Sequence, residues 1–254
     1  MADRFFSTAP LTGDYAFLDG AEAHHLTHVL RAKPGAEVVL FDGSGMEATA
    51  RIESVSRSRV ELAVVSRQNI SRERPVDITV TAALPKGDRQ RWLVEKLVEF
   101  GVRRLVPLTT RRSVAEATPG ALDRLRRAVI EACKQSGRNR LMEIAPPVEW
   151  ASYAAMQPFE TAAAVRWLAH PGGEPLIPLA RQMATAPQTS QAFHLAVGPE
   201  GGFIADEVAA GRGAGWRVVD LGPSILRVET AALFLVAAAC IAGDAPADVE
   251  RKRL

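Results

Sequence analysis

Two cysteines in 254 residues, Cys133 and Cys240, stand far apart in the sequence and rule out a disulfide scaffold. Both are expected as free thiols in a reducing cytosol. Apolar runs are short: the longest, residues 231–242, falls well below the roughly 20 residues a membrane helix needs. The N-terminal stretch lacks the basic, apolar and small-residue order of a signal peptide. Metal ligands are scarce as well. His24 and His28 are four apart on one expected helix face, with no third or fourth ligand in the right arrangement, so no metal is expected. Gly211-x-Gly213-x-Gly215 is not a dinucleotide loop, because it lacks the third glycine and precedes a strand instead of following one. No repeat of fixed period and no low-complexity segment is present.

What the chain does have is a hidden charge asymmetry. The formal net charge is only +2. Yet residues 75–140 hold fourteen Lys/Arg against seven Asp/Glu, while 1–74 hold nine against ten and 141–254 eight against twelve. A basic block inside a nearly neutral chain suggests a local patch for a polyanion. Aromatic residues are only 6% of the chain, and few lie in this block, so base stacking cannot be read from it.

The hydrophobic pattern changes character once along the chain. Residues 16–66 read as a small β-rich unit. A helix is expected over 21–30, then an apolar strand at 38–41 that stops at Asp42-Gly43-Ser44-Gly45. Alternating segments follow at 48–55 and 60–65. Residues 68–75 read as a linker, which places the expected domains at 1–72 and 73–254. Beyond it, strand and helix signals alternate. Strands are expected at 78–84, 105–108, 162–165, 193–197 and 216–221, and helices at 89–100, 119–134, 176–183, 207–213 and 228–241. This is the pattern of an α/β domain with a mostly parallel sheet and covering helices. The last helix is apolar almost all round, which calls for burial on most sides.

Two loops in the last third carry the chemistry. Gly198-Pro199-Glu200-Gly201-Gly202 follows an apolar strand and precedes a helix from about residue 205. Leu221-Gly222-Pro223-Ser224-Ile225-Leu226-Arg227-Val228-Glu229-Thr230-Ala231 follows a second strand and runs into the last helix. Glycines let the backbone approach a ligand, and strand ends of α/β sheets expose backbone N–H groups and helix N-termini. Two such breaks predict one cleft built from two loops.

These segments resemble the RsmE-type 16S ribosomal RNA methyltransferases of the SPOUT superfamily. The likeness extends over nearly the whole chain. It includes His25-Leu26-x-x-Val29-Leu30-Arg31 near the start and Lys86-Gly87-Asp88 leading into residues 95–102. Arg112-Ser113 and residues 131–139, ending in Gly137-Arg138-Asn139, extend it. The chain departs from the commoner family wording at Ser224, where Arg is frequent, and at Val228, where Thr is frequent.

The resemblance implies a PUA-like β-barrel RNA-binding domain followed by a SPOUT domain with a trefoil knot, and pairing as a homodimer. It implies S-adenosyl-L-methionine as cofactor. The expected cofactor contacts are Leu168 and His170 of a Leu-x-His-Pro segment, residues Gly198, Pro199, Glu200, Gly201 and Gly202, and Leu221, Gly222, Ile225, Leu226, Thr230 and Ala231. The implied reaction is methylation of N3 of uridine 1498 in 16S rRNA within the assembled 30S subunit. The expected RNA contacts are His25, Arg31, Lys86, Arg89, Arg111, Arg112, Lys134, Arg138 and Asn139. N3 carries a proton at neutral pH, so the reaction needs a base or a cation that stabilises the uridine anion. Arg227 is the first candidate, with Glu229 orienting it or taking the proton, and Arg112 is the second. A cytoplasmic protein with no membrane association is expected.

Overall fold

The computed structural model describes residues 3–56, 58–156, 164–185 and 192–243. Positions 162 and 163, the first half of the strand expected at 162–165, lie outside them. The chain separates into two compact units, Met1–Glu73 with Ile130–Leu141, and Arg74–Val129 with Met142–Leu254.

In the first unit β1 (Arg4–Phe6), β2 (Tyr15–Asp19), β3 (Glu37–Phe41), β4 (Met46–Val55) and β5 (Arg59–Asn69) form one curled sheet in the order β1-β3-β4-β5-β2. The β1–β3 pair is parallel, and the β3–β4, β4–β5 and β5–β2 pairs are antiparallel. Alternation puts Val38, Leu40, Ala50, Ile52, Val60 and Leu62 on one face, where they are buried with Phe5, Leu18 and Leu26. Each fully buried Leu or Ile adds about 1.5–3 kcal/mol.

The helix expected over 21–30 divides into α1 (Gly20–His24) and a π-helical turn, His25–Val29. Thr27 Oγ1 donates to the Ala23 carbonyl at 2.8 Å, a back-bond that competes with regular helix geometry. Residues 68 and 69, expected in the linker, extend β5 instead.

The second unit holds a parallel sheet of β6 (Asp77–Ala82), β7 (Arg104–Thr109), β8 (Glu143–Ile144), β10 (Val165–Pro175), β11 (Ala192–Val197) and β12 (Arg217–Asp220). Its order is β12-β10-β11-β6-β7-β8, and the two-residue β9 (Val148–Glu149) pairs with β7. In β6 residues 78–82 are buried one after another, Thr79 and Thr81 included, as in a strand covered on both faces. The helices are α2 (Arg89–Glu99), α3 (Pro119–Ser136), α4 (Trp150–Ala155), α5 (Leu176–Ala184), α6 (Ala205–Gly213) and α7 (Val228–Gly243). α3 begins in this unit and ends in the first. α7 packs on β6, β11, α2 and α5. Trp150, Phe203, Trp216 and Leu168 meet in the core, where the Trp150 indole N–H donates to the Glu207 carbonyl at 2.7 Å.

Candidate functional site

Because the sheet is parallel, the loops after β12, β10, β11, β6 and β7 all emerge at one edge, and in that spatial order. The first three enclose a cleft of about 270 Å³. β11 ends at Val197, and its loop turns through a Gly202 N–H to Pro199 carbonyl bond at 2.8 Å, with Gly202 in the left-handed region at φ +67°. A side chain at position 198 would stand 3.0 Å from the Phe203 ring. Glu207 caps the start of α6 by accepting the Ile204 N–H at 2.9 Å, and its other oxygen accepts the Arg111 N–H at 2.8 Å.

The second wall follows β12, where Gly222 takes φ +115°. The third wall is a bulge. β10 pairs with β12 through Ala169 and resumes at Glu174, so residues 170–173 form a bulge, of which His170 and Pro171 line the cleft. Asp220 binds these two walls together. Its carboxylate accepts the Gly222 N–H and the Gly172 N–H, each at 2.8 Å, and these bonds hold its carboxyl below the ordinary carboxylate value.

Of the expected cofactor contacts, His170, Gly198, Pro199, Glu200, Gly202, Leu221, Gly222, Ile225, Leu226 and Ala231 line the cleft. Three others are placed differently. Leu168 is fully buried in the core, Thr230 is exposed on α7 outside the lining, and the Gly201 carbonyl accepts from Arg112 Nη1 at 2.6 Å. Asp220 also lines the cleft and was not anticipated. Its signal in the sequence was the Asp immediately before the Leu-Gly-Pro loop.

The lining holds two carboxylates, Glu200 and Asp220, and contains no Lys or Arg among the described residues. With apolar walls from Val197, Leu221, Leu226 and Val228, this donor set suits a ligand with an apolar ring and a cationic part. It does not suit a phosphate-bearing one. S-adenosyl-L-methionine, with an adenine, an ammonium and a sulfonium, fits both requirements.

The basic residues are split between two places. Lys86 and Arg89 follow β6, and Arg111 and Arg112 follow β7, so all four lie along the edge that carries the cleft. Arg227 is exposed between the lining residues Leu226 and Val228. Glu229 is buried and is paired with Arg89 at 3.6 Å. Lys134, Arg138 and Asn139 are engaged inside the first unit. Lys134 meets Glu22 at 3.0 Å, and Arg138 meets Glu73 at 2.6 Å. Asn139 donates to the Ile70 carbonyl and accepts from Arg4. All three are buried, or nearly so, because acidic or backbone partners of that unit surround them. His25 packs edge-on against Phe5, while Arg31 is exposed at φ +52°.

Residues 72–240 match the family model of the RNA methyltransferase domain, and residues 18–65 that of the RNA methyltransferase PUA domain. The fold and cleft are thus those of an RNA methyltransferase that carries a PUA unit. The ribosomal RNA small subunit methyltransferase E of Mycobacterium bovis is 34% identical over 238 residues, 90% of this chain and 87% of that protein. The Neisseria gonorrhoeae protein of the same name, solved bound to S-adenosyl methionine, superposes with a TM-score of 0.81 at 31% identity, covering 94% of this chain and 96% of that one. A Legionella pneumophila methyltransferase solved in complex with S-adenosyl methionine gives 0.82 at 28% identity, covering 95% and 97%. The chain belongs to the ribosomal RNA small subunit methyltransferase E family.

Proposed function

We propose that the protein transfers a methyl group from S-adenosyl-L-methionine to N3 of uridine 1498 in 16S rRNA, acting on the 30S subunit in the cytoplasm. The observation that carries the reading is the three-walled cleft, with two carboxylates and apolar sides, in a chain of this family. The cofactor, once bound, supplies a methyl made electrophilic by its sulfonium. The remaining tasks fall to the chain. The backbone of residues 221–226 and the apolar lining hold the adenine, and Glu200 and Asp220 face the cationic part. Glu229 takes the N3 proton or orients Arg227, and Arg227 or Arg112 stabilises the charge that develops on the uridine.

Lys86, Arg111 and Arg112 lie beside the cleft as phosphate contacts, with His25 and Arg31 contributing from the PUA unit. The bonds already made by Lys134, Arg138 and Asn139 support a structural part for them. The reading includes a knotted threading of the last third, supported by β12 pairing outside β10 before α7 returns to pack on β6 and β11. Among the described residues no helix is long and apolar enough to cross a membrane.

The test is methyl incorporation into small subunits purified from cells lacking the modification, with the product mapped by mass spectrometry. One new methyl on N3 of uridine 1498 is expected. Label at another nucleotide would move the protein to a different substrate, and failure to bind cofactor would favour an assembly factor that only holds rRNA. Arg227→Ala is expected to lower turnover by roughly 100-fold with little change in cofactor affinity, and unchanged turnover removes Arg227 from the chemistry.

A further inference from the structure

Arg89 opens α2 within the basic block, where the sequence suggests a phosphate contact. Its guanidinium is turned to other partners. Nη2 lies 3.4 Å from Glu200 Oε1, and Nη1 lies 3.6 Å from Glu229 Oε1. The three side chains come from three separate segments: the first turn of α2, the loop after β11, and the first turn of α7. Glu229 has the greatest need of the contact. Its side chain is 8% exposed, and Oε2 is buried with no hydrogen-bond partner. A carboxylate at that depth is costly unless a cation stands beside it, and Arg89 is that cation. The Glu200 arm is solvent-exposed and weak by itself, so its consequence is geometric. A planar fork can hold two carboxylates at a set separation, which a Lys point charge does poorly. One guanidinium between two carboxylates also leaves a local charge of the wrong sign for phosphate.

We infer that Arg89 is a positioning residue of the transfer site: it ties Glu229 at the head of α7 to the Gly-Pro-Glu loop, fixing the buried carboxylate relative to the cofactor wall. This assignment rests on the function proposed above. It gives Arg89 a task distinct from RNA binding, although it lies between Lys86 and Arg91 in the basic block.

The experiment compares the wild type with Arg89→Ala, Arg89→Gln and Arg89→Lys. It measures kcat and KM on unmodified small subunits, the salt dependence of subunit binding, and amide hydrogen exchange at residues 200–203 and 228–231. Arg89→Ala and Arg89→Gln are expected to lower kcat by about 10- to 100-fold, the size of effect a small misplacement of a reacting group produces. KM and the salt slope are expected to stay as in the wild type, and Arg89→Lys is expected to recover part of kcat. Exchange is expected to rise in both segments together. A raised KM with unchanged kcat and a salt slope smaller by about one would make Arg89 a phosphate contact and overturn the assignment. Faster exchange confined to α2 would overturn it as well. If the wild type transfers no methyl, the proposed function fails, and the exchange result still decides whether Arg89 couples the two segments.

Discussion

At the scale of single residues, Asp220 shows how one side chain can hold a binding site in shape. Gly172 and Gly222 both lie in the left-handed region, at φ +77° and +115°, where the backbone of a loop has few other constraints. Their N–H groups converge on the two oxygens of one carboxylate. Those bonds favour the ionised form and lower its pKa, with desolvation opposing them. The sign follows. The tie is present at every pH above the ordinary carboxylate range and is lost only as pH falls through the lowered value of the folded protein. The titration of Asp220 is therefore expected to leave cofactor affinity unchanged between roughly pH 5 and 8. Asp220→Asn keeps one acceptor but turns an NH2 group toward the second N–H. Both bonds are solvent-exposed, so water can replace the lost acceptor, and the variant is expected to raise the cofactor Kd only about two- to threefold. Titration calorimetry checks this, and an unchanged Kd would mean the loops keep their shape without the carboxylate.

At the scale of elements, β11 and α4 share a less visible feature. His194 on β11 lies with its Nδ1 3.4 Å from the Tyr153 hydroxyl of α4, and burial pushes it down from 6.5 to about 4. A histidine that is neutral when folded and free to protonate when unfolded makes stability pH-dependent. Its contribution is complete above pH 6.5 and is lost as pH falls toward 4. Denaturant unfolding across that window should show the wild type losing stability more steeply than His194→Gln, and equal slopes would remove His194 as the cause.

The strand that carries this histidine was plain in the sequence, as was its neighbour β6, because runs such as Phe193-His194-Leu195-Ala196-Val197 have no competing period; its other neighbour, β10, was expected at 162–165 and instead runs Val165–Pro175. β1, β8 and β9 were not plain, being two or three residues long and defined only by their partners. The bulge at 170–173 escaped for a similar reason. The segment around His170-Pro171 was expected as a loop beyond a strand at 162–165, yet Gly173 continues β10 so close to β12 that a Cβ would meet the Val218 backbone at 2.7 Å. The two Gly-Pro loops were legible from their glycines. Arg89 was legible as a cation but not as the partner of Glu229, since that pairing joins residues 140 positions apart.

At the scale of the whole molecule, α7 poses the remaining question of burial. One side, with Ala231, Ala232, Leu235, Val236 and Ala239, is covered by the strands and helices beneath it. The other side presents Leu233, Phe234 and Ala237 half-buried and Ile241 51% exposed, a stripe at helical spacing that begins beside the cleft at Thr230. A contiguous apolar stripe on the solvent side of a helix is a surface that a partner can cover. We propose that two copies pair through this stripe, since a two-fold contact needs no more than one self-complementary patch. Phe234→Glu would place a carboxylate at the centre of that contact, opposite its own symmetry mate or nearby apolar groups. The expected result is a dimer for the wild type by light scattering, and for the variant a dimer Kd raised by about 100-fold or more, as for a central aromatic anchor. Because α7 also carries Val228 and Ala231 of the cleft lining, loss of pairing should loosen the helix head and lower methyl transfer in parallel with the fraction of dimer. A wild type that is monomeric at all concentrations, or a monomeric variant with full activity, would separate the stripe from catalysis and leave α7 as a covering helix only.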